Sequence, residues 1–525
     1  MTVRQNNLAD FFEIVADAVP DRPAIITNEI EFTYSQLDNR ITRLANHLLS
    51  IGIKRGDWVA VHAMNCHEWV ESFYACAKIG AAAVNVNYRY LEEELRYIYD
   101  NADCVAAIVA PEYVEIVRLI QASQPRLKNI LVMGPEYEKA IADASPVRNF
   151  EQRSGDDIYV LYTGGTTGMP KGVVWRSEDI ALGAMNSARQ KQPIDTPEQL
   201  GQEAAAAPAG MRLMAIGPMM HGGGQWLMGN AFVAGGTLVL YTLARFDAHE
   251  IWALAERGKA NSISTIGDAM ARPLAEALLE VSAKKYDLSN MFSVGNGGAP
   301  LTSAVREQLR QALPNILILD SFGASETGAA GSKMDDGAAQ TVLRFDVGPD
   351  CTVLDDNGNE CAIGVVGRLA RSGYIPLRYH KDEAKTAATF PVYNGKRWVV
   401  PGDAAFLETP GVLTLLGRGS QCINSGGEKI YPEEVEQALM QHSAVFDVVV
   451  AGTPNERWGQ QVTALVQLRP ESTASVEELR QHCRRLIADY KVPKEIFLVP
   501  LVQRTPVGKA DYKWAVSQAT LLATT

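Results

Sequence analysis

Leu37, Ile41, Leu44 and Leu48 recur at spacings of three and four residues, behind Thr33 and Gln36 at the distance of a capping box, and the run stops at Gly52. That pattern predicts an amphipathic helix over residues 33–50. Short apolar runs then alternate with helical periodicity: strand 58–64, helix 68–78, strand 81–86, helix 91–99 and strand 104–109. Such alternation predicts βαβ units and a mainly parallel sheet covered by helices. Apolar stretches at 213–216, 237–241, 262–266 and 316–319 continue the texture, so one large α/β body is expected. Residues 192–210, rich in Ala, Pro, Gln and Glu, read as an exposed loop within it.

Near residues 415–420 the texture changes. Gly417, Gly419, Gly426 and Gly427 follow one another closely, and then come helix 432–441, strands 445–451 and 463–468, helix 476–488 and strand 496–499. A small α+β unit of ordinary domain size fits this order. The expected division is residues 1–417 for the large unit and 418–525 for the small one.

Composition narrows the function. The 525 residues are 47% hydrophobic and 21% charged, which excludes disordered, collagenous and coiled-coil classes. Forty-nine Lys and Arg against 61 Asp and Glu leave a formal net charge of −12, unsuited to blanket nucleic-acid binding. A polyanionic ligand must be met by local groups. No apolar run approaches the roughly 18 residues of a membrane span, and residues 1–11 lack a signal pattern, so a cytoplasmic protein is expected. Seven scattered cysteines without a C-x-x-C pair fit reduced thiols, with neither disulfides nor zinc.

Candidate chemistry centres on residues 162–172, where four glycines, three threonines and Lys171 fall within eleven residues after the apolar stretch 158–161. Backbone N–H groups and hydroxyls in such a loop can surround phosphates, and Lys171 adds a cation. Gly172 in place of Ser or Thr, with Pro170 and an apolar run beyond, sets it apart from a Walker loop and predicts strand, loop, strand. A plain hairpin turn could use the glycines but has no need of the threonines and the lysine. Elsewhere the residues alone leave two readings open. Glu326 suits the first turn of a short helix or a Mg²⁺ ligand; Asp403 suits a turn or a pair of sugar hydroxyls. Lys509 is either a solvated lysine or one aimed from a loop stiffened by Pro506 and freed by Gly508. His221, Gly222, Gly223 and Gly224 read as a turn whose glycines leave room for a substrate against the backbone.

The motifs, taken in order, resemble the adenylate-forming superfamily of acyl-CoA synthetases, luciferases and peptide-synthetase adenylation domains. Residues 162–172 are similar to its phosphate loop, residues 297–300 to the segment beside adenine, and residues 322–326 to its aromatic-Gly-x-(Ser/Thr)-Glu motif. Gly402-Asp403 and Gly417-Arg418 resemble the ribose-binding pair, and residues 506–509 the catalytic lysine segment.

The resemblance implies a large α/β domain with a small mobile α+β domain, and ATP, Mg²⁺ and coenzyme A as reactants. It implies Lys509, Glu326, Thr166 and Lys171 in catalysis, the metal falling to Glu326 and Thr166. Nucleotide binding would fall to Thr163, Gly164, Gly165, Thr166, Thr167, Lys171, Gly297, Gly298, Ala299, Pro300, Ser321, Phe322, Gly323, Ala324, Ser325, Asp403, Arg418 and Lys509, with Phe322 stacked on adenine. His221, Gly222, Gly223, Gly224 and Gly298 would border the acyl pocket, Ser425, Gly426 and Gly427 would meet coenzyme A, and Gly419 with Ser420 would form the hinge. Ser420 departs from the Asp or Lys usual there. The turn at 221–224 offers no aspartate for an amino-acid ammonium, so a hydrophobic acid is expected, either a fatty acid or a steroid side-chain acid. Residues 418–434 resemble the matching stretch of bacterial ligases for such acids. Transfer to a carrier-protein thiol and a decayed nucleotide-binding module are the alternatives; a homo-oligomer is left open.

Overall fold

The computed structural model describes the chain except residues 1–3, 166–167, 190–191, 281–285, 300, 336, 338–342, 419–420, 426–427, 456–458, 506–508 and 524–525. The first predicted helix is Tyr34–Ser50, capped as its sequence requires: the Thr33 amide donates to Gln36 Oε1 at 2.9 Å and the Gln36 amide to Thr33 Oγ1 at 3.3 Å. Leu37, Ile41, Leu44 and Leu48 form its buried stripe.

The strands sort into several sheets. The predicted βαβ run makes a four-stranded parallel sheet in the order Ala82–Asn85, Trp58–His62, Ala106–Val109, Asn129–Val132. A second, thirteen-stranded sheet is parallel only through Pro23–Ile26, Thr237–Leu240, Arg212–Ala215, Ser262–Thr265, Ser293–Gly297 and Leu317–Ala324. From Leu317–Ala324 through Gly328–Met334, Leu343–Val347 and Val412–Arg418 it runs antiparallel. The expected parallel pairing thus holds for the βαβ run and for the strands at 212–215, 237–240, 262–265 and 317–324, but the sheet continues antiparallel beyond them. Leu317–Ala324 and Gly328–Met334 are joined by a three-residue turn, too short for the crossover that a parallel pair needs.

The expected loop at 192–210 contains the helix Glu198–Ala206. Its alanines, glutamines and glutamates are good helix formers. Gly201 lets the backbone approach Ile14 and Ala18, and Arg22 donates to the carbonyls of Ala204 and Ala207. The chain leaves the large sheet at the end of Val412–Arg418 and enters a five-stranded sheet at Ile423–Ser425. There Val445–Asn455 and Gly459–Leu468 pair along their lengths, with Pro432–Met440 and Val476–Arg484 packed over a separate apolar core. Among the described residues no helix is long and apolar enough to cross a membrane.

His62 carries a consequence for acid stability. It is fully buried, stacks on Tyr113 at 4.5 Å, and neither ring nitrogen has a hydrogen-bond partner among the described residues. Burial pushes it down to about 4 from the ordinary 6.5. The unfolded chain therefore takes up this proton from pH 6.5 downward while the folded chain refuses it until near pH 4, so stability falls across that window. By pH 5 the loss from this one group is about 2 kcal/mol. His62→Phe keeps the stacked ring and abandons no hydrogen bond, so denaturant unfolding at pH 7 and pH 5 should show a shallower acid loss in the variant. Identical losses in both proteins would contradict this origin.

Candidate active site

Residues 162–172 fold as a hairpin of Ile158–Gly165 against Gly168–Arg176, with Thr163 opposite Lys171 and Tyr162 opposite Gly172. A methyl group at Gly172 would sit 2.9 Å from the Tyr162 ring, so the glycine allows that ring to lie across the strand. Thr166 and Thr167, at the tip, lie outside the described residues. The hairpin is fixed from below by Asn85, whose side chain accepts from the Tyr162 amide at 2.7 Å and donates to the carbonyls of Tyr162 at 2.8 Å and Met220 at 2.6 Å. One buried amide thereby joins the glycine-rich hairpin to the segment that leads into His221.

Glu326 stands in the turn between Leu317–Ala324 and Gly328–Met334 and not in a helix, which removes the helix-terminus reading. Thr327 closes that turn by accepting from the Ala324 amide at 2.8 Å, and Gly328 takes a φ of +63°. The buried guanidinium of Arg371 donates to the Thr327 carbonyl and, at 2.8 Å, to Asp350. The Glu326 carboxylate is then aimed by Tyr379, whose hydroxyl donates to Oε1 at 2.7 Å. Lys171 Nζ lies 2.7 Å from Asp382 Oδ2 and 5.7 Å from the Tyr379 ring centroid, and Trp175 Nε1 donates to the Ser325 carbonyl at 3.1 Å. The bond from Lys171 holds the Asp382 carboxyl below its usual range. Lysine, tyrosine and two carboxylates from three distant parts of the chain thus form one polar wall.

Beside it, Gly297 pairs with Ser321 across parallel strands and Gly298 adopts a φ of +79°. Asn296 Nδ2 donates to the Ala299 carbonyl and to Asp320 Oδ1, both at 3.0 Å, which holds the 297–299 bend; Pro300 lies outside the described residues. Phe322 is half-buried, with its ring centroid 4.6 Å from that of Phe345, while Gly323 and Ala324 continue the strand. Asp403 and Arg418 are register partners in antiparallel strands. Gly417, at a φ of +121°, leaves room for the Glu433 carboxylate, with which a methyl group there would collide. Ser425 ends the strand Ile423–Ser425; Gly419, Ser420, Gly426 and Gly427 lie outside the described residues.

The expected turn at 221–224 is instead the start of the helix Gly222–Val233, with His221 at its cap. Its glycines do not all leave open space. A methyl group at Gly222 would meet Leu161 and Trp226 at 2.9 Å, and one at Gly224 would meet the Pro218 carbonyl at 2.8 Å; only Gly223 faces open space among these three. Close packing of the helix start on its neighbours, more than a roomy wall, requires them. Burial first, then the positive charges of Lys509 and Arg89, pushes His221 down to about 4. His221 is therefore neutral at pH 7. Lys509 sits in a tight loop: its amide donates to Thr505 Oγ1 at 3.1 Å, and the Thr505 amide donates to its carbonyl at 2.8 Å.

The structure thus brings Lys171 and Glu326 together through Tyr379 and ties the segment before His221 to the hairpin through Asn85, while Asp403 and the 297–299 bend stand on strands of the large sheet. Asn85, Trp175, Tyr379 and Asp382 were missed by sequence reasoning. They carry no motif of their own, and their roles exist only through contacts with residues 53 to 211 positions away.

Sequence comparison agrees with this geometry. Residues 12–378 match the pattern of the AMP-binding enzyme family, and residues 434–509 that of the AMP-binding enzyme C-terminal domain. The chain is 44% identical over 540 residues to a 3-oxocholest-4-en-26-oate--CoA ligase of Rhodococcus rhodochrous, covering 98% of this chain and 96% of that one. It is 44% identical over 535 residues to a medium/long-chain-fatty-acid--CoA/3-oxocholest-4-en-26-oate--CoA ligase of Mycobacterium marinum, with the same coverage of 98% and 96%. Among solved structures, the anthranilate CoA ligase AuaEII in complex with anthranoyl-AMP superposes with a TM-score of 0.83 at 24% identity, covering 99% of this chain and 98% of that one. ATP-bound MatB from Rhodopseudomonas palustris gives 0.81 at 23%, covering 97% and 98%. With its large α/β body, its smaller C-terminal unit and end-to-end likeness to CoA ligases, the chain belongs to the AMP-binding enzyme family.

Proposed function

We propose that this chain is an ATP-dependent acyl-CoA ligase for a hydrophobic carboxylic acid, a medium or long fatty acid or a steroid side-chain acid. The observation that carries the reading is the polar wall beside the glycine-rich hairpin, where Lys171 lies over the Tyr379 ring and the Tyr379 hydroxyl holds Glu326. The 44% identity to ligases named for such acids supports the substrate class.

In the first step a carboxylate oxygen attacks the α-phosphorus of ATP; the bond to the bridging oxygen breaks, pyrophosphate leaves and an acyl-adenylate remains. Charge accumulates on phosphate and carboxylate oxygens, and Lys509 is the cation placed to meet it, so catalysis is positioning plus electrostatics. The hairpin backbone at Thr163, Gly164 and Gly165 receives the phosphates, with Lys171 beside it. Gly297, Gly298 and Ala299 with Phe322 border the adenine, and Asp403 opposite Arg418 takes the ribose hydroxyls.

The donor set fits Mg²⁺. Glu326 Oε1 is held by Tyr379, Oε2 has no hydrogen bond among the described residues, and no cluster of three or more His, Cys, Asp or Glu that could hold an ion occurs among those residues. A cation held by one carboxylate and completed by phosphate oxygens and water is the usual Mg²⁺ arrangement, and it neutralises the phosphates.

In the second step the coenzyme A thiol attacks the acyl carbonyl and AMP departs. Residues 418–525 would turn as a unit about Gly419 and Ser420, withdrawing Lys509 and presenting Ser425, Gly426 and Gly427. The switch of sheets between Arg418 and Ile423 supports that division. A cytoplasmic site of action belongs to the same proposal, supported by seven scattered cysteines without a C-x-x-C pair. A competition among acetate, benzoate, dodecanoate, hexadecanoate and 3-oxocholest-4-en-26-oate should give the highest kcat/KM for one of the last three. Preference for acetate or benzoate would overturn the substrate class.

Gly417→Ala is expected to lower overall turnover at least tenfold, because the new methyl group needs the space held by the Glu433 carboxylate and an unfavourable positive φ. Steady-state kinetics at unchanged thermal midpoint checks it; wild-type turnover would contradict it.

A further inference from the structure

The strand Val445–Asn455 begins with an irregularity. Val445 pairs with Leu468 but Asp447 pairs with Gln467, so Phe446 is an extra residue in a β-bulge. Bulges bend a strand and re-aim side chains. Here two neighbouring side chains leave in useful directions. Phe446 reaches the large unit, where the Arg272 guanidinium lies 5.0 Å from its ring centroid. Asp447 turns to Arg504, which donates to both carboxylate oxygens, through Nε at 3.0 Å and through Nη2.

Each contact leads to the proposed chemistry. Arg272 is buried, and its Nη1 has no hydrogen-bond partner among the described residues, so the aromatic face is what that edge of the cation meets. Its Nη2 donates to Asp268 at 2.6 Å, and Asp268 accepts from the Thr302 amide at 2.8 Å and the Thr302 hydroxyl at 2.7 Å, just beyond the bend at 297–299. Arg504, at the other end, opens the loop that carries Lys509: it pairs with Ala510 across the loop base, and Thr505 follows with its bond to the Lys509 carbonyl.

We propose that the bulge at Phe446 and Asp447 is a positioning device for Lys509, with Phe446 seating the small unit on Arg272 and Asp447 fixing the base of the lysine loop through Arg504. The inference rests on the role given to Lys509 above. A ring seated on a fixed cation specifies where the small unit stops, and a two-point carboxylate grip specifies where the lysine loop points from there. Neither residue touches a reactant. Their effect should be confined to the step that needs Lys509 in place.

The test uses the full chain and two assays on every protein. The first follows pyrophosphate release from ATP, Mg²⁺ and dodecanoate without coenzyme A; the second follows thioester formation from supplied dodecanoyl-adenylate and coenzyme A. Phe446→Leu and Arg272→Gln should each lower the first rate relative to the second by roughly three- to thirty-fold, the range of one cation–π contact. Phe446→Tyr, which keeps the ring, should restore the wild-type ratio. The double variant should lose no more than the worse single one, because both remove the same contact. Asp447→Asn should lower kcat of the first reaction roughly tenfold or more, a charge-assisted grip being the stronger contact, with KM for ATP unchanged. Proportional loss in both assays, an unchanged ratio, or multiplied losses in the double variant would overturn the inference. Lys509→Ala in the same assays separates the two questions. If it fails to divide the half-reactions, the role of Lys509 falls; if it divides them while the bulge variants do not, only the positioning device falls.

Discussion

Lys509→Ala is expected to slow adenylate formation by about 10²- to 10³-fold or more while leaving conversion of supplied acyl-adenylate to thioester near the wild-type rate. The magnitude is that of one electrostatic contact made to developing charge in a site shielded from water, on the order of 3 to 4 kcal/mol. The selectivity comes from place. The loop of Lys509 is tied through Thr505 and Arg504 to the small unit rather than to the hairpin. On the proposed rotation the ammonium leaves before the second step, so its loss should cost nothing there. Burst kinetics of pyrophosphate release and single-turnover thioester formation measure the two steps separately. Equal loss in both would take Lys509 out of the assigned role.

Glu326→Gln is expected to be the second most damaging change. The amide oxygen can still accept from the Tyr379 hydroxyl, which stands 2.7 Å from Oε1, so the turn and the side-chain direction survive. On the proposed role, what is lost is one negative charge facing the phosphates, and with it the hold on a hard divalent cation. Adenylate formation should fall at least 100-fold, with the Mg²⁺ concentration for half-maximal rate raised and excess Mg²⁺ restoring only part of the activity. Tyr379→Phe is the matched control: it removes the hydrogen bond and keeps the charge, so its loss should be roughly tenfold or less. An unchanged Mg²⁺ dependence in Glu326→Gln would contradict the assignment.

How much of this could be read from the chain depends on how far apart the interacting groups lie. The helix Tyr34–Ser50 and its cap were legible because Thr33, Gln36 and the leucine stripe are all within one segment. The hairpin at 162–172 was legible as strand, loop, strand, since Pro170 and the apolar run after it oppose a helix. The helix Glu198–Ala206 was not. The mix of Ala, Pro, Gln and Glu at 192–210 argued for a loop, and what decides the matter is Arg22 and Ile14, almost two hundred positions earlier. Gly222 and Gly224 were seen as special for the wrong reason, because the surfaces they meet belong to Leu161 and Pro218. The site shows the same divide. Lys171, Glu326, Asp403 and Lys509 stand in recognisable motifs, whereas Tyr379 and Asp382 become visible only when the strand Arg378–Tyr379 pairs with Val173 and Val174 and sets them beside Glu326 and Lys171.

The measurement that tests the central claim most directly is a product balance for the purified chain with ATP, Mg²⁺, coenzyme A and dodecanoate or 3-oxocholest-4-en-26-oate. An adenylate-forming ligase must yield AMP, pyrophosphate and acyl-CoA in equal amounts, because the α-phosphorus is attacked once and the thiol displaces AMP once. Equal amounts of the three products, dependent on the acid, are the expected result. ADP with inorganic phosphate, or AMP and pyrophosphate accumulating with free coenzyme A left unconsumed, would contradict the account.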